Sequence, residues 1–310
     1  MDGYGVRPID SFDFHHSMLT DELRISAFHD AIASAVQPGD IVVDIGSGTG
    51  ILSMFAAQAG ASQVYAIERE PIIHIAREIS DRNGFAATIT FLEGSSLDID
   101  VPQRADVLIS ETIGNAGLDE GIVAWVSDAK ERLLVPGAVI VPMSLDVTAS
   151  LICVPAEYES IERWDLPLRD LDFSPLERVA QNNLHSVEMS RSDLVSEPVT
   201  LFTTDLNESQ PTISGVGTSR VTKNATVHGI GVWFTATLGP GNSLSNVPPN
   251  IVPSWEQGFL PLDRPRQIEA GTSVDIEVAC SPSGDKWTWR AGADAPTQTT
   301  HNGELEEHIG

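Results

Sequence analysis

Apolar residues recur at helical spacing over residues 12–36, where Met18, Leu19, Leu23, Ile25, Phe28, Ile32 and Val36 stand among polar neighbours. Gln37-Pro38-Gly39-Asp40 then breaks the helix. Beyond it, short β-branched runs at 41–45, 63–67, 87–92, 106–110 and 138–141 alternate with helical stretches at 51–59, 71–82 and 121–134. Strands and helices alternating at that length predict βαβ units and a parallel sheet. After Pro142 the pattern changes. Alternating stretches at 146–154, 199–205, 226–238, 274–280 and 287–289 are punctuated by Gly, Pro, Asn and Ser, as in an all-β barrel or sandwich. Helical periodicity returns only at about 156–192. The expected organisation is α/β: an N-terminal helical segment (1–36), a parallel-sheet unit (37–143), and a β-barrel unit (144–291) interrupted by a helical arm (156–192). The tail, 292–310, is small, polar and acidic, and is expected to be disordered.

The first strand ends in Asp44-Ile45-Gly46-Ser47-Gly48-Thr49-Gly50, and the next helix begins at once. In a parallel α/β sheet this puts backbone N–H groups at the carboxyl end of a strand, where ligands bind. Glycines there let a ligand approach the main chain. The spacing is G-x-G-x-G and differs from the dinucleotide fingerprint. The second strand ends in Glu68, placed to accept hydrogen bonds from ribose hydroxyls. Together these signals predict a nucleoside-containing cofactor.

A second concentration of chemistry follows the fourth strand. Glu111 and Glu120 stand nine positions apart across a loop that contains Gly114 and Gly117. Glu120 alone reads as a helix N-terminal acid favoured by the dipole. Glu111, by contrast, stands where α/β enzymes place their reacting groups. Two carboxylates can grip a guanidinium through paired charge-assisted hydrogen bonds.

The glycine turn resembles the first motif of class I S-adenosylmethionine-dependent methyltransferases. Its continuation, Gly50-Ile51-Leu52-Ser53-Met54-Phe55-Ala56-Ala57 with Ala59-Gly60-Ala61, is similar to that of protein arginine methyltransferases. Three further stretches carry the same resemblance. His15 to Arg24 resembles the pattern H-x-x-M-L-x-D-x-x-R, Ser110 to Glu120 resembles the double-glutamate loop S-E-x(8)-E, and Pro253-Ser254-Trp255 falls where the family has T-H-W. The resemblance implies a Rossmann-like class I methyltransferase domain followed by a β-barrel domain with a helical arm insertion. It implies S-adenosylmethionine as cofactor and S-adenosylhomocysteine as product, bound by Arg24, Asp44, Gly46, Ser47, Gly48, Thr49, Gly50, Glu68, Ser95 and Ser96. Within that set Arg24 is expected on the cofactor's carboxylate. Glu111 and Glu120 become the catalytic pair, and His15, Met18, Asp21, Ser254 and Trp255 line the substrate site. No metal is expected. A homodimer through the arm is implied as well, with Trp164, Leu166, Leu168, Leu171 and Phe173 facing the partner.

The departures from the family pattern are specific. Asn115-Ala116-Gly117 replace bulkier residues between the glutamates, and Ser254 replaces a histidine, which leaves proton loss to Glu120 or water. The family's two-tyrosine helix has only Tyr4 as a counterpart, and His15 and His228 are the other acid–base candidates. The compact chain and remodelled loop favour free L-arginine or a small guanidino metabolite, as in bacterial relatives that serve nitrosourea-antibiotic biosynthesis. Arginine in proteins or peptides is the alternative acceptor. A non-catalytic S-adenosylmethionine-binding partner subunit is the remaining reading.

Charge narrows the partners. The chain has 18 basic and 44 acidic residues, a formal net charge of −26. Such a balance argues against nucleic acid or an anionic membrane as partner and steers a cationic substrate inward. Cys153 and Cys280 are far apart, and the N-terminus has no apolar run, so a reduced cytoplasmic protein is expected. No stretch nears the ~20 apolar residues of a membrane span.

Overall fold

The computed structural model describes residues 8–163, 171–249 and 252–300. The helix expected over 12–36 is two helices, α1 (Pro8–Thr20) and α2 (Glu22–Ala35). Asp21 separates them because its carboxylate caps α2, accepting a bond from the Arg24 backbone N–H at 3.1 Å. Apolar periodicity runs through this break, so the pattern alone merges the two.

Five strands follow: β1 (Ile41–Ile45), β2 (Gln63–Glu68), β3 (Ile89–Glu93), β4 (Ala105–Ser110) and β5 (Leu134–Val141). They pair in parallel in the order β3-β2-β1-β4-β5, connected through α3 (Ile51–Ala59), α4 (Ile72–Arg82) and α5 (Ile122–Arg132). Burial along β1 and β2 is almost continuous, as near-unbroken apolar strands of a covered parallel sheet require. The strand order reverses between β1 and β4, and a crevice opens there at the carboxyl ends.

The second unit comprises β6 (Ser144–Ile152), α6 (Pro155–Glu162), α7 (Pro175–Gln181), β7 (His185–Val187), β8 (Val199–Asp205), β9 (Ser214–Arg220), β10 (Ala225–Gly239), β11 (Asn242–Ser245), β12 (Gln257–Ile268), β13 (Ser273–Cys280), β14 (Trp287–Ala291) and β15 (Gln298–Thr299). The strands form two antiparallel sheets, β7-β12-β10-β6-β8 with β11 beside β10, and β15-β14-β13-β9. Trp289 Nε1 on β14 donates to Pro261 O on β12 at 2.7 Å and ties the sheets together.

Two expectations are corrected here. The arm is helical only in part, since β7 ends it as an edge strand in register with Gln257–Phe259. Residues 292–300 are ordered: β15 pairs with β14, and the buried Thr300 Oγ1 accepts from Trp287 N at 2.7 Å. Residues 301–310, Tyr4, Trp164, Leu166 and Leu168 lie outside the described residues.

One apolar core joins the two units. It runs from Phe28 and Ile32 through the parallel sheet, continues through Ile113, Ala116 and Leu118 of the glutamate loop, and reaches Phe234, Trp255 and Trp287. The loop that bears the two carboxylates is therefore part of the packing between units. Among the described residues, no helix is long and apolar enough to cross a membrane.

Candidate active site

The glycine turn forms a cradle held from below by β2. Gly46 N and Ser47 N donate to Ile67 O at 2.9 and 3.1 Å, and Gly50 N closes the turn on Ser47 O at 2.8 Å. Gly46 has φ +74°, and a Cβ there would stand 2.8 Å from Thr112 Cγ2, so only glycine fits. Glu68 at the end of β2 accepts from Gly48 N and Glu70 N, both at 2.8 Å. Its carboxylate is thereby fixed at the crevice with lone pairs left for ribose hydroxyls. Asp44, wholly buried beneath the turn, accepts from Ser53 Oγ at 2.6 Å, and burial pushes its carboxyl up to about 7. Thr49 and Gly50 complete the turn into α3.

Five buried side-chain polar atoms among the described residues have no partner, and three of them belong to this cradle and its rim: Asp44 Oδ1, Ser47 Oγ and Arg24 Nε. A nucleoside cofactor that ends in an amino acid fits this donor and acceptor set. Arg24 Nη2 binds Glu111 Oε2 and Nη1 donates to Met18 O at 3.1 Å, which leaves Nε for a carboxylate. The Arg24 guanidinium also lies over the Trp255 ring, 5.7 Å from its centroid.

Glu111 and Arg24 form a buried pair, each side chain only 7% exposed. Glu111 Oε1 has a long 3.4 Å bond from Ile113 N and stays free to accept from a second guanidinium. Glu120, at the far end of the loop, is exposed. Its carboxyl is nevertheless close to much of the surrounding protein, and this desolvation, with the charges of Glu111 and Asp119, pushes it up to about 8. A guanidinium between the glutamates opposes that rise. Asp119, which no sequence signal singles out, lies inside the loop. Its Oδ1 accepts from Ala116 N at 2.8 Å, and burial raises its carboxyl above the usual range.

The other expected residues divide between the two sides of the crevice. Ser254 is tied to the residue between the two N-terminal helices: its Oγ donates to Asp21 Oδ2 at 2.7 Å and its N–H to the same oxygen at 3.2 Å. Trp255 Nε1 donates to Ile113 O at 2.5 Å and packs edge-on against Phe234. Met18 is half-buried and touches this cluster through its carbonyl. His15, expected with the substrate, stands instead on the cofactor side, where its ring would be 3.3 Å from a Cβ on Gly48 and where burial lowers its pKa. Ser95 and Ser96 follow β3 in a turn anchored to Glu68 O by Gly94 N at 2.9 Å. Ser95 Oγ accepts from Leu97 N at 3.3 Å, and Ser96 O from Arg132 Nη2 at 2.5 Å. His228 is removed from the cleft and accepts from Val154 N at 3.2 Å through Nδ1 at the root of α6.

A parallel sheet bearing a glycine cradle and an acid at the tip of its second strand, closed by a two-carboxylate loop against an antiparallel unit, defines a class I methyltransferase. Comparison with known families agrees. Residues 24–142 match the description "Ribosomal protein L11 methyltransferase (PrmA)", and residues 147–290 match "Arginine methyltransferase oligomerization subdomain". Protein arginine N-methyltransferase 6 of Xenopus laevis is 30% identical over 286 residues, which span 87% of this chain and 84% of that one. The arginine N(omega)-methyltransferase of Streptomyces achromogenes subsp. streptozoticus is 30% identical over 279 residues, 86% of this chain and 76% of that one. Among solved structures, the Trypanosoma brucei PRMT1 enzyme-prozyme heterotetrameric complex with AdoHcy superposes with a TM-score of 0.80 at 27% identity, covering 96% of this chain and 99% of that one. The chain belongs to the protein arginine methyltransferase family.

Proposed function

We propose that this protein transfers the methyl group of S-adenosylmethionine to a guanidino nitrogen of arginine, and that free L-arginine or a small guanidino metabolite is its acceptor. The observation that carries the reading is the Glu111–Glu120 pair, whose carboxylates feel each other's charge and one of which is already bound to a guanidinium, that of Arg24. S-adenosylmethionine supplies a methyl group on a sulfonium, and the protein's residues do the rest. Arg24 Nε is available to the cofactor's carboxylate, and Glu68 to its ribose. Glu111 and Glu120 would accept N–H bonds from two guanidinium nitrogens, which would leave the third to receive the methyl group. On transfer the sulfonium S–CH₃ bond would break to leave the neutral thioether S-adenosylhomocysteine, the N–CH₃ bond would form, and the guanidinium would release one proton. Glu120, with its carboxyl raised to about 8, is the group suited to accept it, since Ser254 cannot act as a base at neutral pH.

Two features favour a small acceptor. Asn115-Ala116-Gly117 trims the loop between the glutamates, and one relative is named for arginine itself. Peptide arginine remains the second reading, because the other relatives described above carry protein arginine methyltransferase names. The reading includes a homodimer through the arm, where Leu171 and Leu176 are 62% and 40% exposed. Mass spectrometry of products from S-adenosylmethionine with free arginine or with an arginine-rich peptide tests the reading. Methylated free arginine supports it, methylation of the peptide alone replaces it with the second, and no product from either overturns catalysis.

A further inference from the structure

We infer that Asn246 is the positioning residue that fixes the glutamate loop against the second unit. It follows β11, is wholly buried, and spends its entire amide on three main chains. Nδ2 donates to Asn115 O at 2.8 Å and to Glu256 O at 2.5 Å, while Oδ1 accepts from Phe234 N on β10 at 2.9 Å. Its own carbonyl accepts from Gln257 Nε2 at 2.8 Å, and Gln257 Oε1 accepts from Met189 N at 2.7 Å. Asn115 closes the network, accepting from Glu256 N at 2.9 Å and donating to Ser186 Oγ on β7 at 2.7 Å. One amide thus joins the glutamate loop, the segment after Trp255 and a strand of the second unit.

The chemistry explains why this falls to a side chain. Asn115 and Glu256 lie outside the named strands, so no sheet ladder takes up their carbonyls. A buried carbonyl without a donor is costly, and a planar amide satisfies two of them only at one separation and angle. With Trp255 Nε1 on Ile113 O, the loop is held at two carbonyls two residues apart, between Glu111 and Glu120. Gly114 and Gly117 flank Asn115 and give the loop little stiffness of its own. Asn246 touches neither substrate nor cofactor site. Its effect is on where the two carboxylates stand.

The inference rests on the proposed arginine chemistry for its kinetic test, and the structural test is independent of it. In Asn246→Leu, which keeps shape and loses every amide bond, kcat should fall on the order of 100-fold, the scale of an ångström-sized misplacement. Affinity for S-adenosylhomocysteine should stay within about threefold, because the cradle is untouched. Asn246→Ser retains one donor and should recover part of the rate. Amide exchange over 111–120 should speed up in both variants while the cradle stays protected. Should Asn246→Leu fail to fold, Asn115→Ala removes the Ser186 and Glu256 bonds from the surface side and should show the same split on a smaller scale. Unchanged kcat and unchanged exchange in the folded variants would overturn the inference, and so would a loss of cofactor affinity parallel to the loss of rate. If the wild type transfers nothing to arginine, the functional reading fails while the exchange comparison still decides the role of Asn246.

Discussion

Ionisation of Glu120 should govern the pH profile of the reaction. Its carboxyl stands at about 8 because nearby protein desolvates it and Glu111 and Asp119 add like charge. At pH 7 roughly one tenth of the free protein then carries an ionised Glu120. Arginine's guanidinium, with a pKa above ~12, stays cationic throughout, so it contributes no limb of its own. Because kcat/KM reports the free enzyme, it should rise about tenfold per pH unit from pH 6 and level off above about 8. A bound guanidinium draws Glu120 toward ionisation, so kcat should level off at lower pH than kcat/KM. Glu120→Gln keeps the shape and loses the charge. Losing one half of such a pair costs ~2–5 kcal/mol, or roughly 30- to 5000-fold in rate, and the alkaline rise should disappear with it. Initial rates of S-adenosylhomocysteine release between pH 5.5 and 9.5 measure both. A wild-type plateau already reached at about pH 6, or a Glu120→Gln enzyme within about threefold of wild type, would refute the reasoning.

Other outcomes follow from the same geometry. Glu68→Ala should weaken S-adenosylhomocysteine binding by ~1–3 kcal/mol, since Gly48 N and Glu70 N lose their acceptor along with the ribose; unchanged calorimetric affinity would reject the ribose role. Glu111→Gln should slow transfer as Glu120→Gln does, and the double variant should fall little further because the two act as a unit; fully multiplicative losses would show two independent roles. Stability should move the other way with pH. Glu120 and Asp44 favour their protonated forms when folded, so the stability they lend is full below their ordinary values, 4.5 and 3.8, and is lost as pH rises through about 8 and about 7. The pH-dependent fall in Tm of the ligand-free protein between pH 5 and 8.5 should therefore be smaller in Glu120→Gln, and an identical fall would contradict the shift. Replacing Leu171 and Leu176 together by Glu should give a monomer in analytical ultracentrifugation, and a persistent dimer would place the interface elsewhere.

Much of the parallel-sheet half was legible in the sequence because each buried strand is a dense apolar run that ends in a turn or an acid. The antiparallel half was less so. β9, Ser-Gly-Val-Gly-Thr-Ser-Arg, has the composition of a loop and is a strand only because β13 pairs with it along its whole length. β15 owes its order to Trp287 and Trp289 in the same way. In the site, motifs pointed to Glu68, Glu111 and Arg24 one by one. The Arg24–Glu111 pair joins residues 87 apart and exists only once α2 is laid over the crevice. The raised carboxyl of Glu120 belongs to its surroundings, which no spacing encodes. Asn246 sits among Ser, Val and Pro, where an asparagine reads as turn chemistry.

Because the glutamate loop is gripped from the second unit, tolerance to mutation should not track distance from the transferred methyl group. A Cβ on Gly258 of β12 would meet Ala116 Cβ at 2.8 Å, and one on Gly117 would meet Phe234 Cβ of β10 at the same distance. Neither glycine has room for a single methyl group. In a saturation scan for activity, Gly117, Gly258 and the inner face of β10 should be as intolerant as Glu111 itself. Exposed apolar positions such as Ile75 on α4 and Val216 on β9 should accept almost anything. A scan in which barrel glycines proved permissive would mean that the loop carries its own shape. The contacts described here assign that shape to its neighbours, so the sheet that performs no chemistry should evolve under the constraints of an active site.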